Sequence, residues 1–418
     1  GEMALRVIEL KLGMRKPDDK DHFKNKRLKL AGPLLADLFR MAFRNLCRDI
    51  KYQLERMGPK RQSISVSVSV RPGIISEKLQ HALATGNWGR GQVGITQLLD
   101  RTNTISMLSH LRRLQSPLSR SQPNFEARDL HPTHWGRLCP NETPEGSNCG
   151  LVKNLALSAS ISVGTDPEVV KRFLYRRGVI PYNEASRSLK LSGTKVFIDG
   201  RLIGYTVNPK ELVEELRRAR RNGEISSEVN VAYFSKEHNV REEICINCDA
   251  GRVRRPLIIV ENGVPKLTKE HVEKIRSKEW RWEDLIKNGI IEYIDAEEEE
   301  NTYIALTPEE LTPEHTHLEI APYTILGICA SLIPYPEHNQ SPRNSYESAM
   351  SKQALGIYAV NYPLRVDSRS HILHYPQKPL VETKPMEFMG YKLRPSGQNC
   401  VVAVLSFQGY NMEDALIF

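Results

Sequence analysis

The segment 338–356, HNQSPRNSYESAMSKQALG, combines several side chains whose chemistry suits phosphate esters. Its first part offers almost only amides, hydroxyls, a proline and Arg343, so we expect a polar loop followed by a helix with Ser345 as N-cap. An arginine just before a helix N-terminus suits phosphate oxygens, because free backbone N–H groups and the helix dipole add positive potential. The alternative is a surface loop whose arginine makes a weak ion pair. The residues of this helix expected to face a core are Ala349, Met350, Ala354 and Leu355.

A pair of adjacent carboxylates, Glu413 and Asp414, lies in the sequence GYNMEDAL. We expect a strand here, in which the two side chains point to opposite faces, so at most one reaches a given site directly. Paired carboxylates near phosphates usually bind Mg²⁺, which prefers oxygen ligands and often shares them with substrate phosphates. Two carboxylates cannot complete a two-metal site, so other ligands must come from elsewhere, unless both residues are surface acids.

A basic segment, 108–137, alternates arginines with aromatic and imidazole rings. Channels that bind a nucleic-acid backbone have this character, because arginines neutralise phosphates while rings stack on bases. For His134 and Trp135 we favour a structural role, with both rings packed under the following turn. The arginines are Arg112, Arg113, Arg120, Arg128 and Arg137, and the other rings are His110, Phe125 and His131.

The formal net charge of +9 is unevenly distributed along the chain. Residues 61–155 carry 11 basic and 6 acidic side chains, whereas residues 281–314 carry 2 basic and 11 acidic ones. The basic part can follow a phosphate backbone, and the acidic part would be repelled by one. We therefore expect the run 297–300, four consecutive glutamates, to face solvent or another protein. The alternative is that both parts are solvated faces without a partner.

Length and composition exclude several classes of protein. A chain of 418 residues is long enough for two to four domains. No apolar run approaches the roughly 18 residues that a membrane span requires, and the first residues do not resemble a signal peptide. We expect a soluble, cytosolic protein.

Two short motifs invite functions that their context does not support. Cys245 and Cys248 have CxxC spacing, but structural zinc needs four ligands and no second pair lies nearby, so we expect no zinc. Gly89, Gly91 and Gly94 match GxGxxG, but a dinucleotide fingerprint must follow a strand, and here the preceding pattern is helical. We read this second motif as a flexible loop.

The periodicity of apolar residues predicts an α+β, multidomain fold of mixed helices and sheets. A long helix should begin at Gly32-Pro33 and stop at Gly58-Pro59, and Asp199-Gly200 marks a hairpin. A β-rich segment should begin near Glu319, and its strand-like end without a partner suggests a piece of something longer. Further helices are expected near 76–84, 168–177, 209–221 and 268–278, and a rigid, turn-rich loop at 139–150.

Several strings together resemble, in the same order, the second-largest subunit of multisubunit DNA-directed RNA polymerase. They include DKDHFKNKRLKLAGPLL, LSHLRR, LHPTHWGRLCPNETPEGSNCGLVKNLAL, DAGRVRRPL, HNQSPRNSYESAMSKQALG and GYNMEDA, and the resemblance covers essentially the whole chain. The HNQSPRNSY form is similar to the archaeal and eukaryotic branch rather than the bacterial beta subunit. We favour an archaeal source, because the loop 88–94 and the segment near 311–319 look shorter than in eukaryotic nuclear enzymes.

The resemblance implies that the chain is a central fragment of this subunit with four parts. Residues 1–86 would be the end of the protrusion, 87–155 the fork, and 156–318 the second external domain. Residues 319–418 would be the first part of the hybrid-binding domain, an incomplete β-barrel-like C-terminal part.

The resemblance also implies catalytic roles. Arg343 and Tyr346 would approach the phosphates of the incoming nucleotide. Asp414, with Glu413 beside it, would lie near a second Mg²⁺ that arrives with the nucleotide and is shared with the largest subunit. The first Mg²⁺ would be held mainly by an aspartate triad of the largest subunit, a motif absent from this sequence.

Nucleic-acid contacts follow from the same resemblance. Lys352 and Gln353 would touch the 3′ region of the RNA. Arg112 and Arg113 would lie in the fork near the hybrid and the downstream duplex, and Arg120 belongs to a fork loop, about 115–128, that keeps downstream strands apart.

The implied function is templated RNA synthesis by a nucleotidyltransferase complex. Expected partners are the largest subunit, the remaining part of the same subunit, other polymerase subunits, template DNA, the RNA transcript and nucleoside triphosphates, without a membrane. The location would be the cytoplasm, beside the nucleoid, in an archaeon and the nucleus in a eukaryote. The isolated chain is expected to be inactive, either a scaffold or a binder of single-stranded nucleic acid.

Overall fold

The computed structural model describes residues 1–57, 70–89, 91–235, 241–406, 408–410 and 412–413. The expected helix stop at Gly58-Pro59, the carboxylate Asp414 and the strand expected to follow it lie outside these residues. No helix within the described ranges is long and apolar enough to cross a membrane. The chain divides into two compact units: unit 1 comprises Gly1–Leu98, Gln122–Pro140 and Leu155–Ile325, and unit 2 comprises Leu99–Ser121, Asn141–Asn154 and Leu326–Phe418.

Helices and strands both occur, which confirms the α+β class. The helices are α1 Glu2–Lys11, α2 Ala31–Met57, α3 Ile74–Thr85, α4 Thr104–Leu111, α5 Phe125–Arg128, α6 Pro167–Arg176, α7 Arg187–Ser192, α8 Pro209–Arg221, α9 Lys269–Arg276, α10 Trp282–Lys287, α11 Ala296–Glu299, α12 Ser341–Ser351 and α13 Lys384–Phe388. The strands are β1 Arg113–Gln115, β2 Val152–Asn154, β3 Ser160–Ile161, β4 Ile180–Pro181, β5 Thr194–Ile198, β6 Arg201–Thr206, β7 Asn230–Phe234, β8 Glu243–Asn247, β9 Val253–Glu261, β10 Val264–Pro265, β11 Ile291–Ile294, β12 Ile304–Ala305 and β13 His317–Leu318.

In unit 1, α2 packs against α3 as its apolar spacing predicts. Leu38 of α2 and Ala82 of α3 are buried together with Trp88, whose Nε1 donates a hydrogen bond to Thr96. Helix α3 ends at Gly86, which has a φ of 72° and leaves no room for a Cβ beside the Thr96 carbonyl. The GxGxxG sequence therefore follows a helix, and its described residues form a loop.

Two sheets form the centre of unit 1. The first has the strand order β4-β6-β5-β8-β7 and is covered by α6 and α8, whose buried residues pack onto it. The β5–β6 hairpin turns at Asp199 and Gly200, both with positive φ (47° and 75°), which confirms the predicted hairpin. In the second sheet, β9 lies centrally and pairs with β3, β10, β11 and β13.

The prediction that the acidic run 297–300 faces solvent or another protein is wrong for Glu298, whereas Glu300 at the end of the run is exposed. Glu298 of α11 is buried, and its Oε2 accepts a hydrogen bond from the backbone N–H of Val231 on the edge strand β7. Asn301 extends this pairing, because its amide both accepts from and donates to the backbone of Tyr233. The acidic run therefore seals the open edge of a sheet, where unpaired backbone groups would otherwise invite association.

Arginines from α8 compensate the charge of this run. Arg220 lies 2.6 Å from Glu292 and 2.7 Å from Glu298, and all three side chains are buried. Burial raises the pKa of both carboxyls, but the arginine charges outweigh it and hold both below their usual range. We call Arg217, Arg220, Arg221, Glu292 and Glu298 the arginine–glutamate network.

The basic segment also contributes to this core. Arg137 is fully buried; it donates to the carbonyls of Val253 and Ile294 and pairs with Glu299, so its interpretation as a nucleic-acid contact is wrong. His134 is buried edge-on against Phe23, which confirms its structural role. Trp135 differs, because it is 46% exposed and its Nε1 donates to Glu319.

In unit 2, α12 begins at Ser341, four residues before the expected N-cap Ser345. Gln340 occupies the N-cap position and Pro342 lies in the first turn, where a missing N–H costs nothing. Arg343 therefore lies within the first turn of the helix rather than before it.

The buried face of α12 is polar, so the predicted apolar face is also wrong. Asn344 and Ser348, one turn apart, are buried, whereas Met350 and Leu355 are 59% and 39% exposed. Hydrogen bonds compensate the burial of the polar Asn344 side chain, which donates to the Pro336 carbonyl and accepts from the Asn339 amide.

The β-rich segment predicted from residue 319 onward is not formed by the described residues. They contain no strand after β13, only short helices, turns and an isolated bridge between Gly356 and Ser396. Val401, Val402 and Val404 have strand-type spacing, but they are largely exposed and no strand pairs with them. A strand needs a neighbour for its backbone hydrogen bonds, and apolar spacing alone does not supply one.

Candidate functional site

Unit 2 contains a cavity of about 410 Å³, and most of the residues that line it are polar or charged. Its residues come from three segments that are far apart in sequence: the region around α4 and β1, the loop that leads into β2, and α12 with the residues that follow it. The charged and amide groups in the wall are Asp100, Arg113, Glu142, Asn154, Lys352 and Gln353, and Thr102, Thr143 and Ser348 add hydroxyls.

Strands β1 and β2 bring the first two segments together. They pair antiparallel with Arg113 opposite Asn154, so both residues reach the cavity from neighbouring strands. Asn154 Nδ2 donates to the backbone carbonyl of Glu142 at 3.0 Å, which fixes the loop against β2. The turn-rich loop predicted at 139–150 is confirmed, with a 3₁₀ turn at Gly146–Asn148.

Glu142 is the central acid of the cavity. It is 1% exposed, accepts a hydrogen bond from the Ser109 hydroxyl, and lies 3.1 Å from Lys352 Nζ. Arg112 lies at the end of α4 and is partly buried; burial lowers its pKa, and the charge of Glu142 opposes that effect. The Glu142 carboxylate thus forms an ion pair with Lys352 and acts electrostatically on Arg112, which belongs to a different segment.

Asp100 and His110 form a second pair at the cavity edge. Burial would raise the pKa of Asp100, but hydrogen bonds from Ser106 and Thr102 lower it, so the group is a carboxylate. His110 Nδ1 accepts the backbone N–H of Asp100, and burial together with the charge of Arg113 lowers the pKa of the imidazole. His110 is therefore neutral near pH 7.

The structure brings four of the expected nucleic-acid contacts to this region. Arg113, Lys352 and Gln353 line the cavity, and Arg112 precedes Arg113 in the chain and is influenced by the charge of Glu142. Arg120 has a different environment: its guanidinium donates to the Asn148 side chain and to the carbonyls of Ser116 and Leu118, so it stabilises its own loop.

Arg343 and Tyr346 lie together on α12 but do not line the cavity. The Arg343 guanidinium is exposed and lies 5.5 Å from the centre of the Tyr346 ring, a cation–π distance. Within the described part of the chain, Arg343 has no carboxylate at ion-pair distance. Its charge is available to an external anion.

The expected Mg²⁺ ligands are only partly within the described residues. Glu413 is an exposed turn residue with a φ of 46°, rather than a strand residue. No group of three or more metal-binding side chains occurs in the described ranges. An exposed carboxylate such as Glu413 fits a hard cation, but one carboxylate cannot hold it alone.

Sequence reasoning missed Glu142, Asn154 and Ser348. The loop around Glu142 is so rich in turn residues that its carboxylate gave no sign of burial. Ser348 is spaced one turn from Asn344 and Lys352, a polar stripe on α12 that a helix-face analysis can detect.

Chemically, the cavity can bind a polar ligand that carries phosphate or hydroxyl groups, and the carboxylates of Asp100 and Glu142 balance its two cations in formal charge. Lys352 and Arg113 supply positive charge from two segments, and Gln353 and Asn154 supply amides that donate and accept. Both cations are held on regular elements or at their ends, so the binding groups are positioned before a ligand arrives.

Comparison with protein-family models gives matches to five domains of one family along the chain. Models described as RNA polymerase Rpb2 domains 2, 3, 4, 5 and 6 match residues 1–29, 97–161, 196–261, 282–322 and 329–418. The domain 3 match covers Asp100, Arg113, Glu142 and Asn154, and the domain 6 match covers Lys352 and Gln353. The cavity of unit 2 is therefore built from two of these domains.

Individual relatives agree. DNA-directed RNA polymerase subunit Rpo2 of the archaeon Saccharolobus shibatae is 57% identical over 99% of this chain and 37% of its own length. The RNA polymerase II second subunits of Encephalitozoon cuniculi and Arabidopsis thaliana are each 43% identical over the whole chain, and cover 38% and 36% of their own lengths. The chain thus spans little more than a third of these relatives, and its higher identity to the archaeal one agrees with the expected branch.

Proposed function

Because the chain belongs to the family of second-largest subunits of multisubunit RNA polymerase, we propose that it lines the active centre of a DNA-directed RNA polymerase. In this role it positions nucleotide phosphates and contacts the RNA–DNA hybrid and downstream DNA. The reaction is templated nucleotidyl transfer, carried out by the complex rather than by this chain alone.

The observation that best supports the proposal is the cavity in unit 2. Lys352, Gln353 and Arg113 come from two different Rpb2 domains and meet around one polar space. A nucleic-acid end offers what such a wall binds, namely backbone phosphates for the cations and base edges or hydroxyls for the amides. We propose that Lys352 and Gln353 contact the RNA near its 3′ end, and that Arg112 and Arg113 contact nucleic acid in the fork.

The proposed binding site for the nucleotide phosphates is the exposed first turn of α12. Arg343 would neutralise charge on the triphosphate and hold it in line for attack, and Tyr346 would fix the guanidinium through the ring contact. Mg²⁺ would supply further charge neutralisation at the phosphates. Glu413 and Asp414 are this chain's candidate ligands for the second ion, with the remaining ligands from the largest subunit and the nucleotide.

The partners follow from this assignment. They are the largest subunit, the rest of the second-largest subunit, other polymerase subunits, DNA, RNA and nucleoside triphosphates, and the location is the archaeal cytoplasm. We also propose the four-part division into protrusion end, 1–86, fork, 87–155, second external domain, 156–318, and first part of the hybrid-binding domain, 319–418.

The test is Arg343→Ala in a polymerase assembled with the full-length subunit. We expect the KM for nucleotides to rise by about 10-fold or more, because a charged hydrogen-bond donor to phosphate is lost. Elongation rate at limiting nucleotide is the measurement. Arg276→Ala, which removes an exposed arginine from the last turn of α9, is the matched control and should change nothing. Unchanged kinetics at limiting nucleotide would remove Arg343 from the site.

A further inference from the structure

Asn103 occupies an unusual position at the start of α4. It is 1% exposed, and its Oδ1 accepts the backbone N–H of Ser106 at 2.6 Å, as the N-cap of that helix. Its Nδ2 donates to two carbonyls, that of Ser351, the last residue of α12, at 2.9 Å, and that of Ala354, three residues farther on, at 2.8 Å. One side chain therefore joins the N-terminus of one helix to the C-terminus of another.

The surroundings of Asn103 fix the orientation of its amide. A backbone N–H lies on one side and two carbonyls lie on the other, so the reversed amide would face donors with donors and acceptors with acceptors. Both hydrogens of Nδ2 are used. The Asn103 amide therefore makes three hydrogen bonds, one through its oxygen and two through its nitrogen.

The two carbonyls held by Asn103 flank the dipeptide Lys352-Gln353. Carbonyls in the last turn of a helix have no partner within the helix, and Asn103 supplies one in place of water to the carbonyl of Ser351. The backbone N–H of Gln353 bonds to the Met350 carbonyl at 2.9 Å, which completes the turn. The backbone on both sides of Lys352-Gln353 is thereby fixed, and Lys352 Nζ is directed to Glu142 at the cavity wall.

We propose that Asn103 is a positioning residue for the cavity, which sets the direction of Lys352 and Gln353 through their flanking carbonyls. The inference rests on the proposed RNA contact of those two residues. Asn103 acts on both sides of the cavity, because α4, which it caps, leads directly into Arg112 and Arg113.

The chemistry of alternatives to Asn identifies the variant to use. Serine is also a good N-cap, so Asn103→Ser keeps the start of α4 but removes both donors to α12. Asn103→Thr does the same while filling more of the vacated space, and it serves if the serine variant assembles poorly. Ser186→Ala, which removes the N-cap of α7 in unit 1, is a control for the general cost of losing one capping contact.

The experiment is a double-mutant cycle in a polymerase assembled with the full-length subunit. The measured quantity is the rate at which labelled RNA leaves a preformed complex with a DNA template at fixed salt. We expect Asn103→Ser to speed release by about fivefold, the size of a lost hydrogen bond, and Ser186→Ala to leave it unchanged. In a Lys352→Ala/Gln353→Ala background, Asn103→Ser should have no further effect, because the groups that it positions are absent.

Three other outcomes overturn parts of this scheme separately. If Lys352→Ala/Gln353→Ala alone does not change RNA release, the proposed RNA contact is wrong and the inference falls with it. If that double variant speeds release and Asn103→Ser multiplies the effect, Asn103 acts through general stability and only the inference fails. If Ser186→Ala speeds release as much as Asn103→Ser, the effect is not specific to the cavity.

Discussion

The arginine–glutamate network of unit 1 and the cavity of unit 2 both contain basic side chains and buried glutamates, but these side chains have different roles in the two regions. In the network, Arg220 contacts Glu292 and Glu298, and all three groups are buried, with both carboxylates paired to arginines. In the cavity, Lys352 shares a single ion pair with the buried Glu142, and Gln353 and Arg113 face open space.

This difference shows how a charge cluster reveals its role. Removing charges from water is costly, and this cost is offset only when the ion-pair geometry is good and most polar atoms find partners. In the network the carboxylates of Glu292 and Glu298 are paired with arginines, and of its buried side-chain atoms only Nε of Arg217 and of Arg220 lacks a hydrogen-bond partner among the described residues. Where polar groups surround space that is not filled by protein, an external ligand can complete their interactions. The completeness of pairing, rather than the number of charges, separates the structural cluster from the functional one.

The strongest test of the comparison is Arg220→Ala. It leaves Glu292 and Glu298 buried without their main counter-charge, so we expect the free energy of unfolding to fall by about 3–5 kcal/mol. Chemical denaturation of the chain measures the loss. Arg218→Ala on the exposed face of the same helix is the matched control and should stay within about 0.5 kcal/mol of the parent.

The loss caused by Arg220→Ala should also depend on pH. The folded-state pKa of both carboxyls lies below their ordinary value of 4.5, so their contribution is present above pH 4.5 and is lost as pH falls through the folded pKa. The difference between the variant and the parent should therefore shrink below pH 4.5. A difference that stays constant down to pH 3 would show that the network is not the source of the stability.

A smaller effect is expected at the single ion pair of the cavity. Lys352→Met removes the cation that lies 3.1 Å from the buried Glu142 carboxylate and should lower the free energy of unfolding by about 1–3 kcal/mol. Glu142→Gln/Lys352→Met removes both charges of the ion pair and should recover part of that loss, because the buried carboxylate charge is removed together with its lysine. Denaturation of both variants in parallel measures the difference. If the double variant is less stable than Lys352→Met, Glu142 stabilises the fold even without Lys352. The cavity charges are then structural, as in the network, and the contrast between the two regions fails.

The smallest effect belongs to Glu347 of α12, an acid that belongs to neither region. Burial raises its pKa above 4.5, and its Oε2 has no hydrogen-bond partner among the described residues. A raised pKa means that the neutral form is favoured on folding, so its contribution is fully present below pH 4.5 and is lost as pH rises through the folded pKa. Glu347→Gln should therefore gain stability relative to the parent between pH 5 and 8. Urea titrations at both ends of that range test this, and equal shifts at both would contradict it.

Local patterns predicted the elements well and their environments poorly. The apolar spacing of α2, the Asp199-Gly200 turn and the helices near 209–221 and 268–278 were recognisable, because propensity and turn chemistry act over a few residues. The burial of the acidic run was not, since Glu298 is compensated by Arg220, 78 positions earlier. Likewise, Glu142 is held by Lys352, 210 positions later, and no local signal indicates such a partner.

By itself, the sequence determined the family and the α+β class, because long ordered motifs and local propensities are properties of the chain alone. Tertiary structure decided which charges are structural and which are available to a ligand. Arg137 and Arg113 are equivalent in the basic segment, yet one is fully buried among carbonyls and the other lines a cavity. The physical reason is that desolvation and pairing depend on neighbours brought together by folding, and these neighbours are far apart along the chain.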